Sequence, residues 1–492
     1  MSEATTNTEY TPTIGLEIHV ELATATKMFC GCANMFGDEP NTNVCPTCLG
    51  LPGSLPVLNE RAVELAMRFG VALGFEIPVR SIFHRKNYFY PDMPKDFQTS
   101  QFDEPICTNG TIEALGSIVH IERAHLEEDT GKSTHIGGSG RITDADYSLV
   151  DYNRAGVPLM EIVSHPDIHS AEQARAYVAE LRAVLEALQI SDVKMEEGSL
   201  RVDANVSVAR RDATELGTRA EIKNMNSLRS LGRAIDYEID RQITLLEAGE
   251  RIVQETRHWD ESDGRTHSMR SKEMAFDYRY FPEPDLVPIV PTEEMRAAAR
   301  ASQVELPSAT RERLEGEWAI SRQDAATIVA VPGLVAYATE AVSNLAAVSS
   351  PKDLVNWCVG DVLAVMNERG IEVSALALRP TDLGELVGLV SSGALSRKQA
   401  KDVFAACING GGKPAEVAKR LGLSQVSDES ALSAVLESIV AAHPDEVERW
   451  KSGDDAARKK LNGFFMGQAM RELKGQGNPN VLTTILEGLL DG

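Results

Sequence analysis

The fold of the first half of the chain is decided by the stretch IGLEIHVEL at residues 14–22. Apolar and polar residues alternate there with a period of two, which predicts a β-strand that is buried on one face only. The polar face would carry Glu17, His19 and Glu21, and this mixture of carboxylates with an imidazole indicates a working surface. A solvated antiparallel sheet would alternate in the same way, so this alternative stays open.

A second stretch, SLRVDANVS at residues 199–207, repeats the alternation. Its polar face would carry Ser199, Arg201, Asp203, Asn205 and Ser207. Short polar side chains again dominate where a solvated strand would carry Lys and Thr. We therefore predict an α+β fold whose first part is built on an antiparallel sheet.

The second half of the chain has the pattern of helices. From about residue 292 it is rich in Ala, Leu and Val, with capping residues before the apolar runs and Gly after them. The sequence SPKD at 350–353 opens one run, and SRKQ at 396–399 has the spacing of a capping box. These runs should end near Gly370 and Gly410.

Two breaks in the pattern give the domain boundaries. The stretch FPEPDLVP at 281–288 disfavours regular pairing because of its prolines, and GGG at 410–412 is typical of a flexible joint. We predict a disordered leader at residues 1–12, a catalytic domain at 13–291, an all-α helical domain at 292–410 and a helical tail at 411–492.

Composition narrows the class of protein. The 492 residues include 43% hydrophobic and 25% charged residues, which is typical of a globular protein. No apolar run approaches the ~18 residues of a membrane span, so we expect no membrane partner. The net charge of −24 argues against binding nucleic acid by bulk charge, although a local basic surface is compatible with it. Seven cysteines and no export signal favour a reducing cytoplasm over a disulfide framework.

Four of the cysteines have the spacing of a metal site. Cys30 and Cys32 form a C-x-C pair, and after twelve intervening residues Cys45 and Cys48 form a C-x-x-C pair. Two close thiolate pairs on turns can form a tetrahedral four-sulfur site, for which zinc is the usual occupant. Such a site has no open position, so we predict a structural Zn²⁺.

A run of three carboxylates is a second candidate site. Glu127, Glu128 and Asp129 precede the sequence GKS at 131–133, but Leu126 stands where a phosphate-binding loop needs Gly, so we reject a Walker A motif. Together with Glu17, His19 and Glu161, these carboxylates are suited to a hard cation such as Mg²⁺. An acidic run is more often a solvated surface, and the sequence does not show that these groups meet.

Several basic and polar residues are candidates for nucleotide binding. The segment HRKNYFYPDMPKD at 84–96 interleaves cations, aromatic residues and Pro, which suits phosphate contact and base stacking, or else a packed loop. If the protein binds a nucleotide, we expect the nucleotide or its phosphates to contact Lys86, Lys132, Lys194, Arg201, Asp203, Asn205 and Lys223.

The tail carries a local basic surface. Residues 458–474 contain Arg458, Lys459, Lys460, Arg471 and Lys474 against one acid, Glu472, a local net charge of +4. Between the basic residues, the apolar segment 461–470 should pack as one side of a helix, with Gly463 and Gly467 allowing close approach. On composition alone, this is either a solvated helix end or a nucleic-acid contact.

Five motifs in one order carry a family resemblance. They are GLEIHV at 15–20, RKNYFYPD at 85–92, EEDTGK at 127–132, KMEEGSLR at 194–201 and DYRYFPEPD at 277–285. Together they closely resemble the B subunit of the bacterial aspartyl/glutamyl-tRNA amidotransferases, and the resemblance covers the chain after the leader.

The resemblance implies a fold, partners and a reaction. The fold would be a cradle similar to the glutamine synthetase sheet, then a helical domain and a tail that binds tRNA through the five basic residues. The partners in a heterotrimer would be an amidase, which is the A subunit, and a small C subunit. The chain would use ATP to phosphorylate the tRNA-linked carboxylate of Glu or Asp. Relatives often have Gln where this chain has Glu21, which argues against a ligand role for Glu21.

The resemblance also implies the site residues. The catalytic set would be Glu17, His19, Glu127, Glu128, Asp129 and Glu161. Within it, the Mg²⁺ ligands would be Glu17, His19, Glu128 and Glu161. Ammonia must come from a partner, because the chain has no amidase-type Ser-Ser-Lys signature. A stand-alone carboxylate–amine ligase and a non-catalytic zinc-bearing tRNA scaffold remain as alternatives, and the sequence leaves open whether Asp-tRNA, Glu-tRNA or both are used.

Overall fold

The computed structural model describes residues 9–137, 145–269, 278–423, 429–452, 454–473 and 479–491. The chain divides into two compact units, Met1–Pro307 and Ser308–Gly492. The first unit is a sheet with helices and the second is helical.

The first unit contains thirteen strands within its described residues, and most of them form one sheet. The strands are β1 (Tyr10–Glu21), β2 (His84–Asn87), β3 (Phe97–Ser100), β4 (Cys107–Ala114), β5 (Ser117–Glu128), β6 (Lys132–Ile136), β7 (Tyr147–Asp151), β8 (Pro158–Ser164), β9 (Leu200–Arg210), β10 (Ala220–Lys223), β11 (Glu255–Asp260), β12 (Arg265–Ser268) and β13 (Phe281–Pro282). The strand order in the large sheet is β12-β11-β10-β9-β1-β8-β5-β3-β2-β13, with β4 beside β5. Strands β6 and β7 pair separately.

The predicted alternation of β1 is confirmed. Ile14, Leu16, Ile18 and Val20 are buried, and the residues between them are half-buried. The buried side chains share one core with helices α1 (Glu60–Ala72), α2 (Ala171–Ala187) and α3 (Leu228–Glu247). The opposite, polar face of the central strands is therefore available for a site.

Two details of the sheet differ from the prediction. The sheet is mixed rather than wholly antiparallel, because β10 and β11 run parallel. Tyr10, Thr11 and Pro12 belong to β1, where they pair with β9, and not to the predicted disordered leader. The first eight residues of that leader lie outside the described residues.

The first boundary also lies later than predicted. Helix α4 (Glu293–Ala301) follows residue 291, but Ala299 belongs to the core of the first unit and Met295 packs against it. One arginine of this helix, Arg296, donates to the carbonyl oxygens of Ile77 and Pro78. The helical unit therefore starts after α4.

The second unit consists of helices. They are α5 (Pro307–Trp318), α6 (Arg322–Val329), α7 (Leu334–Ser343), α8 (Pro351–Trp357), α9 (Leu363–Arg369), α10 (Pro380–Ser391), α11 (Arg397–Gly410), α12 (Pro414–Arg420), α13 (Glu429–Ala442), α14 (Pro444–Ser452), α15 (Asp455–Glu472) and α16 (Pro479–Asp491). A π-helical turn, Cys358–Val362, joins α8 to α9. Both predicted helix starts are capping boxes, at Ser350 and Ser396, and α9 ends before Gly370, which adopts a left-handed conformation.

The described residues of this unit form two apolar cores. One extends from Leu314 to Ala418, and the other is formed by residues of α13 to α16. Val417 and Ala418 of α12 belong to the first core, so the tail predicted to start at residue 411 begins as a separate packing unit only after α12. Among the described residues, no single helix is long and apolar enough to span a membrane. Helices α6 and α7 have that length and composition only as a pair, and the pair is bent by 117°.

Candidate active site on the polar face of the sheet

The pairing register brings the polar residues of three strands together. On β1, His19 is paired with Glu161 of β8 and Arg201 of β9, and Glu17 is paired with Asp203. Directly paired residues of neighbouring strands share a face. The side chains that were predicted from two distant sequence stretches therefore line one surface.

His19 lies at the centre of this surface. Its Nδ1 atom is 3.2 Å from Oε1 of Glu127, and its Nε2 atom is 3.2 Å from Oε1 of Glu17. Two groups of potential ligands share this imidazole. They are His19 with Glu127 and Glu161, and His19 with Glu17 and Asp203, and within each group the ligand atoms all lie within 4.8 Å of one another.

These two groups fit a divalent cation by their chemistry. Carboxylate oxygens are the ligands that Mg²⁺ prefers, and one imidazole is compatible with this set. Glu127 and Glu161 are buried, so their charge requires a nearby cation to offset the cost of desolvation.

The pKa values show how the protein balances this charge. Burial alone would lower the pKa of His19, but the hydrogen bonds with Glu127 and Glu17 raise it well above its ordinary value. Burial alone would raise the pKa of Glu17, yet the hydrogen bond and charge of His19 hold it at about 2. The pKa of Glu127 is lowered in the same way. The imidazole and the two carboxylates therefore stabilise one another's charged forms, and a cation held by these groups would take the place of the imidazole proton.

Basic side chains border the two ligand groups. Lys223 lies 2.5 Å from Asp203 and 3.1 Å from Glu221. Although burial lowers the pKa of Lys86, the charge of Glu127 raises it above its ordinary value, so this ammonium lies within electrostatic reach of the cluster. Both cations are placed to meet an anionic ligand on this face.

Arg201, which is paired with His19, contacts Asp129 on the same polar face. Arg201 donates to Oδ2 of Asp129 at 2.8 Å, and Arg154 lies 3.5 Å from the same oxygen. Burial and the charge of Asp129 raise the pKa of Glu21 to about 7. Asn205 is on the same face of β9, paired with Gly15 of β1.

Glu128 is not part of this cluster, contrary to the prediction that it binds Mg²⁺ with His19. It follows Glu127 on β5, so its side chain points to the other face of the sheet. There it pairs with the ammonium of Lys95, and the Thr99 N–H donates to Oε1 at 2.8 Å. The alternation of the strand places Glu127, rather than Glu128, beside His19.

Two predicted phosphate ligands also lie apart from His19. Lys132 is exposed and opens β6 in the separate two-stranded sheet, so the GKS sequence does not precede a helix as a phosphate-binding loop would. Lys194 is exposed and bonds to Glu197 at 3.0 Å. The structure gives neither residue a contact with the His19 cluster.

His125 is a member of the site that the sequence analysis missed. It is buried on β5 and paired with Glu161, and its Nε2 atom lies 3.4 Å from Oε2 of that carboxylate. The signal was available, because His125 precedes Glu127 by two residues and strand alternation puts both on one face.

The four predicted zinc ligands are gathered near the apolar face. Their sulfur atoms all lie within 4.8 Å of one another, and the Cys45 N–H donates to the Cys48 sulfur at 3.0 Å. A hydrogen bond from Cys30 lowers the pKa of Cys48 to about 5, and Lys27 acts in the same direction. The donor set fits a four-thiolate zinc site. A cavity of about 180 Å³ separates Cys30 and Cys48 from Glu128 and Lys95.

The basic residues of α15 have different surroundings. Arg458 packs over the Trp450 ring at 4.8 Å and donates to its carbonyl oxygen, whereas Lys459, Lys460 and Arg471 are exposed. Lys474 lies outside the described residues. The prediction that Gly463 and Gly467 allow a close approach is wrong, because both glycines face open space.

Comparison with known proteins gives matches over nearly the whole chain. A family model described as the GatB/GatE catalytic domain matches residues 12–297, and one described as the GatB domain matches residues 337–490. The B subunit of the aspartyl/glutamyl-tRNA(Asn/Gln) amidotransferase of Nocardioides sp. is 49% identical over 490 residues, covering 98% of this chain and 97% of the relative. The same-named protein of Persephonella marina is 46% identical over 486 residues, covering 98% and 100%.

Proposed function

The chain belongs to the family of aspartyl/glutamyl-tRNA(Asn/Gln) amidotransferase B subunits, and we propose that it performs the ATP-dependent step of that reaction. Its substrate is the side-chain carboxylate of Glu attached to tRNA(Gln), of Asp attached to tRNA(Asn), or of both. The products are Gln-tRNA(Gln) and Asn-tRNA(Asn). The complex is then a carbon–nitrogen ligase that takes its amide nitrogen from glutamine.

The carboxylate must be activated because oxide is a poor leaving group. A carboxylate oxygen attacks the γ-phosphorus of ATP, the bond to the β–γ bridging oxygen breaks, and ADP leaves. Ammonia then attacks the carbonyl carbon of the acyl phosphate, loses a proton and expels inorganic phosphate. The reacting groups are anionic in the first step, so positioning and charge neutralisation are what the protein must supply.

The observation that supports this proposal is the pair of ligand groups that share His19. Held by Glu17, His19, Glu127, Glu161 and Asp203, Mg²⁺ would neutralise the charge of the phosphates during transfer. Lys86 and Lys223 border these ligands and can bind phosphate oxygens directly. His125 supports Glu161 from within the sheet. The likeness of this sheet to glutamine synthetase is part of the same proposal.

The remaining assignments complete this proposal. Glutamine is hydrolysed by an amidase, which is the A subunit, and the heterotrimer is completed by a small C subunit. The exposed cations of α15 contact tRNA, and the four cysteines hold a structural Zn²⁺. The reaction takes place in the cytoplasm, where aminoacyl-tRNA is made.

Amide formation by the purified chain, with and without its partner subunits, tests the proposal. We expect the complex to form Gln-tRNA or Asn-tRNA only when ATP, Mg²⁺, mischarged tRNA and a nitrogen source are all present. Amidation of free glutamate or aspartate by the chain alone would favour a stand-alone ligase. Binding of tRNA without any ATP consumption by the assembled complex would favour a non-catalytic scaffold.

A further inference from the structure

Two aromatic rings form a stacked pair at the edge of the polar face. The centroids of Phe102 and Tyr280 are 4.3 Å apart, and the ring planes are 10° from parallel. Phe102 follows β3 by two residues, after Ser100, whose hydroxyl lies 3.2 Å from Oε2 of Glu127. At the rise of extended chain, two residues span roughly 7 Å. The pair is therefore within the length of one nucleotide of the proposed phosphate site.

Phe102 is held in place but remains open to a ligand. It is 53% exposed, although Tyr280 covers one face of its ring. Buried His84 meets the ring at 80°, with centroids 6.0 Å apart, and the Nε2 atom of His84 is 3.2 Å from Asp103. The exposed area of Phe102 therefore belongs to a fixed ring rather than to a free side chain.

A second contact connects the aromatic pair to the charged part of the site. Tyr278 lies edge-to-face with Tyr280, with centroids 6.0 Å apart, and the ammonium of Lys86 is 5.1 Å from the centre of the Tyr278 ring. An aromatic border thus leads from Phe102 to Lys86, which lies near Glu127. A ligand with a flat ring at one end and phosphate at the other matches this order.

We propose that Phe102, backed by Tyr280, is the stacking platform for an adenine ring. This inference rests on the proposed function, in which two adenines come to the site, that of ATP and that of the 3′-terminal adenosine of tRNA. Stacking on an aromatic side chain recognises the flat face of a base. Purely structural stacking, in which Phe102 only fastens β13 to the sheet, is the opposing explanation.

Substitution at Phe102 in the assembled complex separates these explanations. Phe102→Ala and Phe102→Leu both remove the aromatic face, whereas Phe102→Tyr keeps it. We expect the first two to weaken adenine binding on the order of ten-fold and Phe102→Tyr to behave as the wild type. Phe36→Ala, at an exposed phenylalanine near the four cysteines, is the matched control and should leave binding unchanged.

Two measurements identify the adenine. Equilibrium binding of ATP to the complex tests whether the platform holds the adenine of ATP. Comparing the binding of tRNA that ends in its 3′ adenosine with the binding of tRNA lacking that nucleotide tests whether it holds the terminal adenine of tRNA. If Phe102→Ala weakens the binding of ATP alone or of the tRNA 3′ adenosine alone, the result supports the platform and identifies its ligand. Unchanged binding of both ligands in Phe102→Ala, or rescue by Phe102→Leu, overturns it.

The same measurements separate this inference from the proposed function. If the wild type binds ATP through Phe102 but consumes none when tRNA is present, the proposed function fails and the platform stands. If tRNA-dependent ATP consumption is normal and Phe102→Ala changes no binding constant, the platform alone fails.

Discussion

Glu127 and Glu128 are neighbours on strand β5, yet they have different surroundings. Glu127 joins His19 on the polar face, and Glu128 pairs with Lys95 on the face that also carries the cysteine cluster. Both carboxylates are buried and both have a cationic partner. The difference teaches that the direction of a side chain on a strand, rather than its charge or burial, decides which carboxylate lies beside His19.

The strongest test of this difference is Glu127→Gln. The variant keeps the size of the side chain but removes a negative charge from the ligand group of His19 and Glu161. We expect tRNA-dependent ADP release to fall on the order of 10²–10³-fold, as when one preorganised electrostatic contact is lost. Assembly with the partner subunits and glutamine hydrolysis should persist. Normal ADP release would show that the polar face is not the phosphorylation site.

Loss of zinc tests the structural role of the cysteine cluster, which lies on the same face of the sheet as Glu128. Cys48→Ser should abolish tight zinc binding, measured by elemental analysis, and lower the free energy of unfolding on the order of 4 kcal/mol. ADP release per folded molecule should change little, because the cysteines lie away from His19. Thr47→Ala, which keeps all four sulfurs, is the control. Full zinc content in Cys48→Ser would exclude the four-thiolate site.

Glu128→Gln is the matched neighbour of Glu127→Gln. It leaves Lys95 without its carboxylate partner but keeps an oxygen for the Thr99 N–H. We expect a loss of about 2 kcal/mol in the free energy of unfolding, measured with urea. ADP release should stay within about three-fold of the wild type, because the variant leaves the ligands of the polar face intact. If ADP release falls as far as in Glu127→Gln, the two faces do not differ in function.

Much of the fold could be predicted because its signals are local. The alternation at residues 14–22 and 199–207 predicted β1 and β9, and the caps at Ser350 and Ser396 predicted two helices. The parallel pairing of β10 with β11 depends on which strands meet, which no local pattern encodes. The packing of Val417 against the earlier helices likewise made the predicted tail boundary wrong.

The site was predictable only as far as the strand pattern was unambiguous. Glu17 and His19 share a face in any register, because they are two residues apart. The run at 127–129 has acidic residues at both odd and even positions, and therefore on both faces of a strand. Its sequence could not decide whether Glu127 or Glu128 lies on the polar face. That choice is made by long-range pairing, in which Glu127 lies opposite Ser100 and Leu159. The prediction placed Lys132 among the phosphate ligands for a related reason, because no local pattern shows that β6 pairs with β7 outside the large sheet.

The smallest expected effect concerns a surface that belongs to neither face of the sheet. On α15, Lys459, Gly463, Gly467 and Arg471 recur every four residues, so they share one face of the helix. These residues are exposed, and the two glycines leave the backbone of that face open. Arg458, by contrast, is engaged with Trp450. Lys459 and Arg471 therefore lie on this open face, and Lys460 beside them is also exposed, so these three are the cations best placed to meet RNA phosphates.

We expect the double change Lys459→Glu and Lys460→Glu to weaken tRNA binding about ten-fold at low salt and to reduce the slope of log K against log salt by about one to two. ADP release at saturating tRNA should be unchanged, because α15 contributes no ligand to the His19 cluster. Reversal of the exposed Lys352 and Lys398, which changes the net charge equally, is the control. Removal of the residues after Leu423 should weaken binding further while sparing the core that contains Val417. Equal salt slopes for the wild type and the α15 variant would show that these lysines form a solvated helix end, and that tRNA is held elsewhere.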